Sequence, residues 1–283
     1  MPAPSAPSDV LPTSRWLAAF IAPFLVVAFV ILYIFPTHTS TLWAWTIRSP
    51  MTSMVLASAY LGGAYFFVTV LRERAWAAIG SGFLAVCAFA TLLGVATVLH
   101  WSVFNHRHVA FWLWAGLYFL APPLVLLAWL TNRRAACRPS GDEPLVPAPL
   151  RRVVVGLSVL AAVQGAVLFL DPALMIPVWP WPLTPLTARV IGATFCLGIA
   201  GLGLVRDARW VTLDRMARVE LVMLVFILGA AVRAHAELDT GRLLTWVLGP
   251  GILALTAGTM WVVGTAGRHA AYGGDGHELL GRR

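Results

Sequence analysis

The chain has 283 residues, of which 59% are hydrophobic and only 11% are charged, and its formal net charge is +8. Soluble globular domains carry about 25% charged residues, so the composition excludes an ordinary soluble domain and predicts an integral membrane protein in contact with the lipid bilayer. All of the basic residues are arginines in or near short connections between apolar stretches, which argues against nucleic acid as a partner.

Eight apolar stretches predict membrane-spanning helices, since most are long enough to cross about 30 Å of hydrocarbon. They do not alternate with a period of two residues, which excludes the strands of a membrane β-barrel and makes the fold all-α. The seventh is the least certain, because Arg233 and His235 limit its outer end. The predicted spans are residues 16–35, 51–71, 75–99, 110–130, 153–170, 186–205, 219–232 and 243–264.

The arginines predict the orientation of the chain in the membrane. With the N-terminus inside, the inner segments hold 15 arginines and the outer segments hold 5. Positive charge concentrates on the cytoplasmic side, so both termini are predicted to lie in the cytoplasm, below a bacterial inner membrane. Residues 131–152 are predicted to form a cytoplasmic linker, and residues 267–283 a disordered cytoplasmic tail.

The sequence also predicts an internal repeat. A Trp-x-Trp segment at residues 43–45 precedes Pro50, and a second one at residues 179–181 precedes Pro185, which lies 135 residues later. His100 and His235 each follow a Leu-Gly-x-Ala segment, again 135 residues apart. We therefore predict two four-helix repeats, residues 1–130 and 153–266, which are parallel because each has an even number of spans. The Trp-x-Trp segments are expected to be structural elements at the membrane interface, with a lid over an outer cavity as the alternative.

The outer face carries a candidate anion site. Arg189 lies one turn into the sixth span and Arg233 lies near the outer end of the seventh, where the other repeat has apolar residues. An arginine within a span usually faces the bundle or a wet cavity, and a helix N-terminus adds positive potential. These features predict binding or transport of a small anionic or amphiphilic ligand. The alternative is that the arginines only reach lipid headgroups or pair with an acidic neighbour. The predicted ligand-binding residues are Arg189, Arg233, His100, His235 and Arg48.

The histidines favour a second hypothesis. A two-fold axis could bring His100 and His235 to one central site, and His106 and His108 could add ligands. Neutral imidazole binds haem iron, copper and zinc, so a haem- or metal-binding redox protein is the alternative function. Polar helix ends at the interface are the simpler explanation, since no zinc-enzyme motif is present.

Acidic residues are nearly absent from the predicted spans. Glu220 is expected at the inner mouth of the seventh span, paired with Arg218 or Arg215, and without a carboxylate in the middle of the membrane a proton-coupled pump is disfavoured. Pro122-Pro123 and a Gly-Pro-Gly segment at residues 249–251 are expected to interrupt the fourth and eighth spans. Such interruptions are typical of transporter binding sites, and the alternative is a packing kink, which is common in membrane helices. No motif assigns a catalytic residue. A third hypothesis is an accessory subunit that packs against another membrane protein.

Residues 179–189 read Trp-Pro-Trp-Pro-Leu-Thr-Pro-Leu-Thr-Ala-Arg, and Phe-Asn-His at residues 104–106 precedes Phe-Trp at residues 111–112. These segments resemble a family of bacterial multi-pass membrane proteins to which no activity is assigned. The resemblance extends over both halves. It implies a multi-pass topology and assigns no site residue.

Overall fold

The computed structural model describes residues 10–135 and 144–280, without the side chains of residues 135 and 267–280. The fold is 81% helical, and the described residues form no strand. The helices are α1 (Pro12–Phe29), α2 (Thr39–Leu42), α3 (Pro50–Arg72), α4 (Gly80–Leu99), α5 (Val109–Ala135), α6 (Ala148–Leu170), α7 (Pro172–Met175), α8 (Pro185–Phe195), α9 (Trp210–Arg233) and α10 (Leu243–Leu280). A π-helical turn, Val30–Ile34, extends α1, and a 3₁₀ segment, Cys196–Val205, extends α8.

Seven helices in the described part of the chain are long and apolar enough to cross a membrane, as expected of a multi-pass membrane protein. They are Pro12–Ile34, Pro50–Arg72, Gly80–Leu99, Val109–Arg134, Ala148–Leu170, Pro185–Val205 and Leu243–Ala266. The helix α9 is long enough but carries too many charged residues, among them Asp214, Arg215 and Arg218 in its first half. The eighth span and the orientation of the termini therefore stay predictions.

Two predicted connections fall partly outside the described residues. Part of the linker 131–152 lies in residues 136–143, whereas α5 extends into its first residues and α6 begins at Ala148. The backbone of α10 continues as a helix to Leu280, where the sequence predicted a disordered tail from residue 267. Residues 281–283 lie outside the described part.

The connections between the long helices gather at two ends of the bundle. At one end, which we call the tryptophan end, lie residues 35–49, 100–108, 171–184 and 234–242. The amide of Asn105 donates to the carbonyl of Ala44 (2.9 Å), and the hydroxyl of Ser49 donates to Glu237, which joins three of these connections. At the opposite arginine end, the guanidinium of Arg215 in α9 bonds Glu73, just after α3 (2.7 Å).

The helices pack mostly with their neighbours in the chain: α1 against α3, α4 against α5, α6 against α8, and α9 against α10. Two further pairs join the halves, α3 with α9 and α4 with α8 and its 3₁₀ segment. The helices α3 and α8 also touch each other at the centre of the bundle. The first turns of these two central helices therefore lie side by side at the tryptophan end, where they position the candidate site.

Glycine allows the closest of these contacts. A Cβ atom added to Gly165 of α6 would lie 2.6 Å from the carbonyl oxygen of Gly192, and one added to Gly192 of α8 would lie 2.7 Å from the carbonyl oxygen of Gly165. Only residues without a side chain let two helix backbones approach so closely, which is a common way of joining helices in membranes.

Candidate functional site

The two Trp-x-Trp segments fold inward and form part of the core at the tryptophan end. Their rings are almost fully buried: Trp43, Trp45, Trp179 and Trp181. The ring of Trp45 packs edge-on against Trp114 of α5 at 4.8 Å, and the indole N–H of Trp181 donates to the hydroxyl of Thr52 in α3 (2.9 Å). The two segments therefore have a structural role in the core, and their position at the membrane interface stays a prediction.

The start of α8 is fixed by its own sequence. Pro185 occupies the first turn, where its missing N–H is no loss. Thr184 caps the helix by accepting from the amide of Thr187 (3.2 Å), and the hydroxyl of Thr187 accepts from the amide of Thr184 (2.7 Å). This reciprocal capping box leaves the next turn free to present Arg189 toward α4.

The structure brings two of the predicted site residues together. A terminal nitrogen of Arg189 (Nη1) lies 2.7 Å from Nε2 of His100, which follows the last residue of α4. Both side chains are partly buried. The Nε atom of Arg189 is buried and has no hydrogen-bond partner among the described residues. The pair thus bridges the two halves of the chain and leaves one guanidinium donor unused.

The electrostatics of this pair leave a net positive charge. Burial, followed by the neighbouring Arg189 guanidinium, lowers the pKa of His100 below its ordinary value. The imidazole is therefore neutral at neutral pH and can accept a hydrogen bond from the guanidinium without compensating its charge. No carboxylate in the described part of the chain forms an ion pair with Arg189.

Arg233 is placed elsewhere and has a structural partner. Its Nη1 atom donates to the carbonyl of Tyr33 (2.6 Å), and its guanidinium lies 5.1 Å from the centre of the Tyr33 ring. Tyr33 belongs to the π-helical turn that ends α1, where the backbone has carbonyl groups to satisfy. No hydrogen bond among the described residues joins Arg233 to Arg189 or His100, and a site shared by the two arginines stays a prediction.

A carboxylate from a distant part of the chain lies at the start of α3. Glu237 accepts from the hydroxyl of Ser49 and from the amide of Met51 (3.4 Å). A carboxylate at this place satisfies free N–H groups and interacts favourably with the helix dipole. Its proximity to Ser49, 188 residues away along the chain, is a tertiary contact with no local sequence signal. Arg48, predicted as a ligand-binding residue, is exposed beside this cap.

The other histidines have local contacts. The ring of His235 is exposed and lies 3.1 Å from the carbonyl of Val232. His106 packs between aromatic rings, edge-on to Phe111 at 4.6 Å, and His108 accepts from the amide of Ala110 (3.1 Å) at the start of α5. The described residues contain no group of three His, Cys, Asp or Glu side chains that could hold a metal ion. The haem or metal hypothesis therefore gains no support from the positions of these histidines.

The connections at the tryptophan end match each other in pairs. The Asn105 amide donates to Ala44, between the first two tryptophans, and the Asp239 amide donates to Pro180, between the second two (2.8 Å). The helix α4 ends at residue 99 and α9 ends at residue 233, which is an offset of 134. His100 is thus the first residue after its helix and His235 the second, so the two histidines are out of register by one residue.

An apolar groove lies between α4 and α5, beside Pro122, through which α5 continues without a break although the sequence predicted an interruption there. Its volume is about 330 Å³ and none of its lining side chains is charged. The lining residues are Thr91, Gly94, Val95, Val98, Leu99, Tyr118, Phe119 and Pro122. This groove suits an acyl chain and not an anionic group.

No family model, curated protein or solved structure matches this chain. The resemblance of residues 179–189 to bacterial multi-pass proteins therefore stays a prediction, and no activity comes from relatives. The proposed function therefore rests on the geometry of the described residues alone.

Proposed function

We propose that this protein binds a small anionic or amphiphilic ligand at the tryptophan end, with Arg189 as the residue that recognises the negative group and His100 as the residue that positions it. The observation that carries the proposal is the partly buried Arg189 guanidinium, which has a neutral imidazole as its partner and a buried, unused Nε–H. A cation of this kind is costly to keep without an anion, and Arg suits carboxylate or phosphate because its donors form a planar fork.

The predicted internal repeat supports this assignment. The matched hydrogen bonds of Asn105 and Asp239 and the two cross-half helix pairs are what a two-fold relation between the halves would produce. In that relation the start of α3 corresponds to the start of α8, and Glu237 corresponds to Val103. The carboxylate that covers α3 therefore has no counterpart at α8. A carboxylate supplied by the ligand would occupy at the start of α8 the place that Glu237 occupies at the start of α3.

The direction of access follows from the charge distribution. With arginines concentrated at the opposite end, the tryptophan end of this bacterial inner-membrane protein would face away from the cytoplasm, and both termini would lie in the cytoplasm. The ligand would thus arrive from the outer face. Transport would further require that α5 and α10, which contain Pro122 and Pro250, change their bend.

Native mass spectrometry of the detergent-purified protein tests the proposal first. We expect an anionic species bound to the wild-type protein that is lost from Arg189→Met. The matched control is Arg107→Met, which removes an exposed arginine from the same end of the molecule. A bound anion that survives Arg189→Met in a folded protein would overturn the proposal. A visible haem spectrum lost in His100→Ala would favour the redox alternative instead.

If the ligand dissociates during purification, a ligand titration followed by thermal unfolding replaces native mass spectrometry as the test. Dodecanoate is the probe, and dodecylamine, which has the same chain and the opposite charge, is the control. We expect dodecanoate to raise the unfolding temperature of the wild-type protein and of Arg107→Met, but not of Arg189→Met. Equal stabilisation by the amine would mean that only the chain is recognised, and the role of Arg189 would be refuted.

A further inference from the structure

Glu220 lies half-way along the bundle and not at its inner mouth. It is ten residues beyond Trp210, which places it about 15 Å along α9 at 1.5 Å per residue. Its neighbours in α9, Val219 and Met223, surround Gly62, with the Val219 carbonyl oxygen 3.5 Å from the Cβ position of that glycine. Gly62 lies in the middle of the span Pro50–Arg72. Glu220 is therefore level with the middle of the neighbouring candidate span.

The arginines that were expected to neutralise Glu220 are bound to other carboxylates. Arg215 forms ion pairs with Glu73 (2.7 Å) and with Asp214 (2.8 Å). Arg218 forms an ion pair with the same Asp214 (2.9 Å). Among the described side chains, no hydrogen bond or ion pair reaches Glu220, and its side chain is exposed on the surface of the bundle.

The elements packed against α9 offer no further cation at this level. They are α3, α10, the 3₁₀ segment Cys196–Val205 and the short turns Trp76–Ala78 and His235–Glu237. Besides Glu220, their titratable or charged side chains, with those of α9 itself, are Tyr60, Tyr65, Arg72, Cys196, Asp214, Arg215, Arg218, Arg233, His235 and Glu237. The last two follow the far end of α9, more than three turns beyond Glu220. Residues 243–266 of α10 contain none. Each arginine in this set that has a described partner is held by an anion or a carbonyl, and Arg72 is at the last residue of α3.

We propose that Glu220 is a proton-binding carboxyl group of the membrane interior, held as the neutral acid where it faces hydrocarbon. An ionised carboxylate surrounded by lipid and without a cation is strongly unfavourable, so the side chain keeps its proton instead. Losing that proton requires water or a cation to reach the centre of the bundle. The ligand of this second site is thus the proton. The site is independent of Arg189. The sequence disfavoured a proton-coupled pump because no carboxylate was expected in the middle of the membrane, and Glu220 supplies such a group.

Carbodiimide labelling tests this proposal. Dicyclohexylcarbodiimide is apolar, enters bilayers and reacts with protonated carboxyl groups. The acid proton passes to a nitrogen of the reagent, the carboxyl oxygen adds to its central carbon, and the acyl group then migrates to nitrogen to leave a stable acylurea. The full chain in liposomes would be treated at neutral pH and digested, and the modified residue would be mapped by peptide mass spectrometry. Mapping on the wild-type chain does not depend on the folding of any variant.

We expect one adduct at Glu220, absent in Glu220→Gln, and no adduct at Glu73, whose carboxylate is ion-paired. A water-soluble carbodiimide should spare Glu220, because that reagent does not enter hydrocarbon. Labelling should persist at neutral pH and decline only in alkaline buffer, since the surrounding lipid favours the neutral acid. Labelling of Glu220 only in acid, labelling by the water-soluble reagent, or equal labelling of Glu73 would each overturn the proposal.

Discussion

Replacing Gly165 by alanine should separate α6 from α8 and destabilise the protein. The new Cβ atom would lie 2.6 Å from the carbonyl oxygen of Gly192 and 2.9 Å from Sγ of Cys196, well inside the 3.4 Å at which ordinary contact begins. The nearest of these atoms is backbone, so a side-chain rotation cannot relieve the overlap. Overpacking of this kind costs about 1–3 kcal/mol. The intrinsic gain from placing alanine in a helix is about 1 kcal/mol, which offsets only part of it.

The matched control is Gly156→Ala in the same helix. No atom lies within 4 Å of the Cβ position at Gly156, so this variant receives the helix-propensity gain without the overlap. The difference between the two variants therefore isolates the cost of overpacking. Thermal unfolding in detergent measures it, at roughly 2–4 °C per kcal/mol for a domain of about this size. Equal unfolding temperatures for Gly165→Ala and Gly156→Ala would refute the close approach of α6 and α8.

Three further predictions concern single interactions. Glu237→Ala should destabilise the start of α3 by about 1 kcal/mol, because it removes the acceptor for Ser49, as read from thermal unfolding. The lowered pKa of His100 predicts that the wild-type protein loses stability as the pH falls through about 6.5, the ordinary value, and that His100→Asn flattens this dependence in a pH series of unfolding temperatures. Tyr118→Phe should cost about 1–2 kcal/mol in the same assay, because the buried hydroxyl of Tyr60 loses its 2.8 Å partner.

Each of these three predictions has a control variant or an outcome that would contradict it. His235→Ala removes an exposed ring next to the Glu237 segment and should leave stability unchanged; an equal loss would mean that the loop, and not the cap, is responsible. A steep pH dependence that survives His100→Asn would assign the titration to another group. The double variant Tyr60→Phe with Tyr118→Phe should recover part of the single loss, since no hydroxyl is then left unpaired. Additive losses would contradict the pairing.

The sequence by itself determined the class of the protein and the start of its central helices. Low charge and long apolar stretches leave a membrane bundle as the outcome, because unpaired backbone groups are too costly in lipid. Pro50 and Pro185, each preceded by a hydroxyl residue that caps the first turn, set where α3 and α8 begin. These signals are local, so they can be read along the chain. The candidate site was predicted in part for the same reason, since Arg189 follows one of these helix starts.

The tertiary structure alone decided which polar groups meet. Arg189 and Arg233 look alike in sequence, yet one reaches His100 and the other reaches the carbonyl of Tyr33. Glu220 is two residues from Arg218, but a helix turns about 100° per residue, so the arginine points to Asp214 and the glutamate points elsewhere. Such pairings depend on the rotation and the relative height of packed helices. The apolar faces of these helices differ little from one another, so the sequence does not determine the rotation or the height of each helix. Both are determined only when the bundle packs.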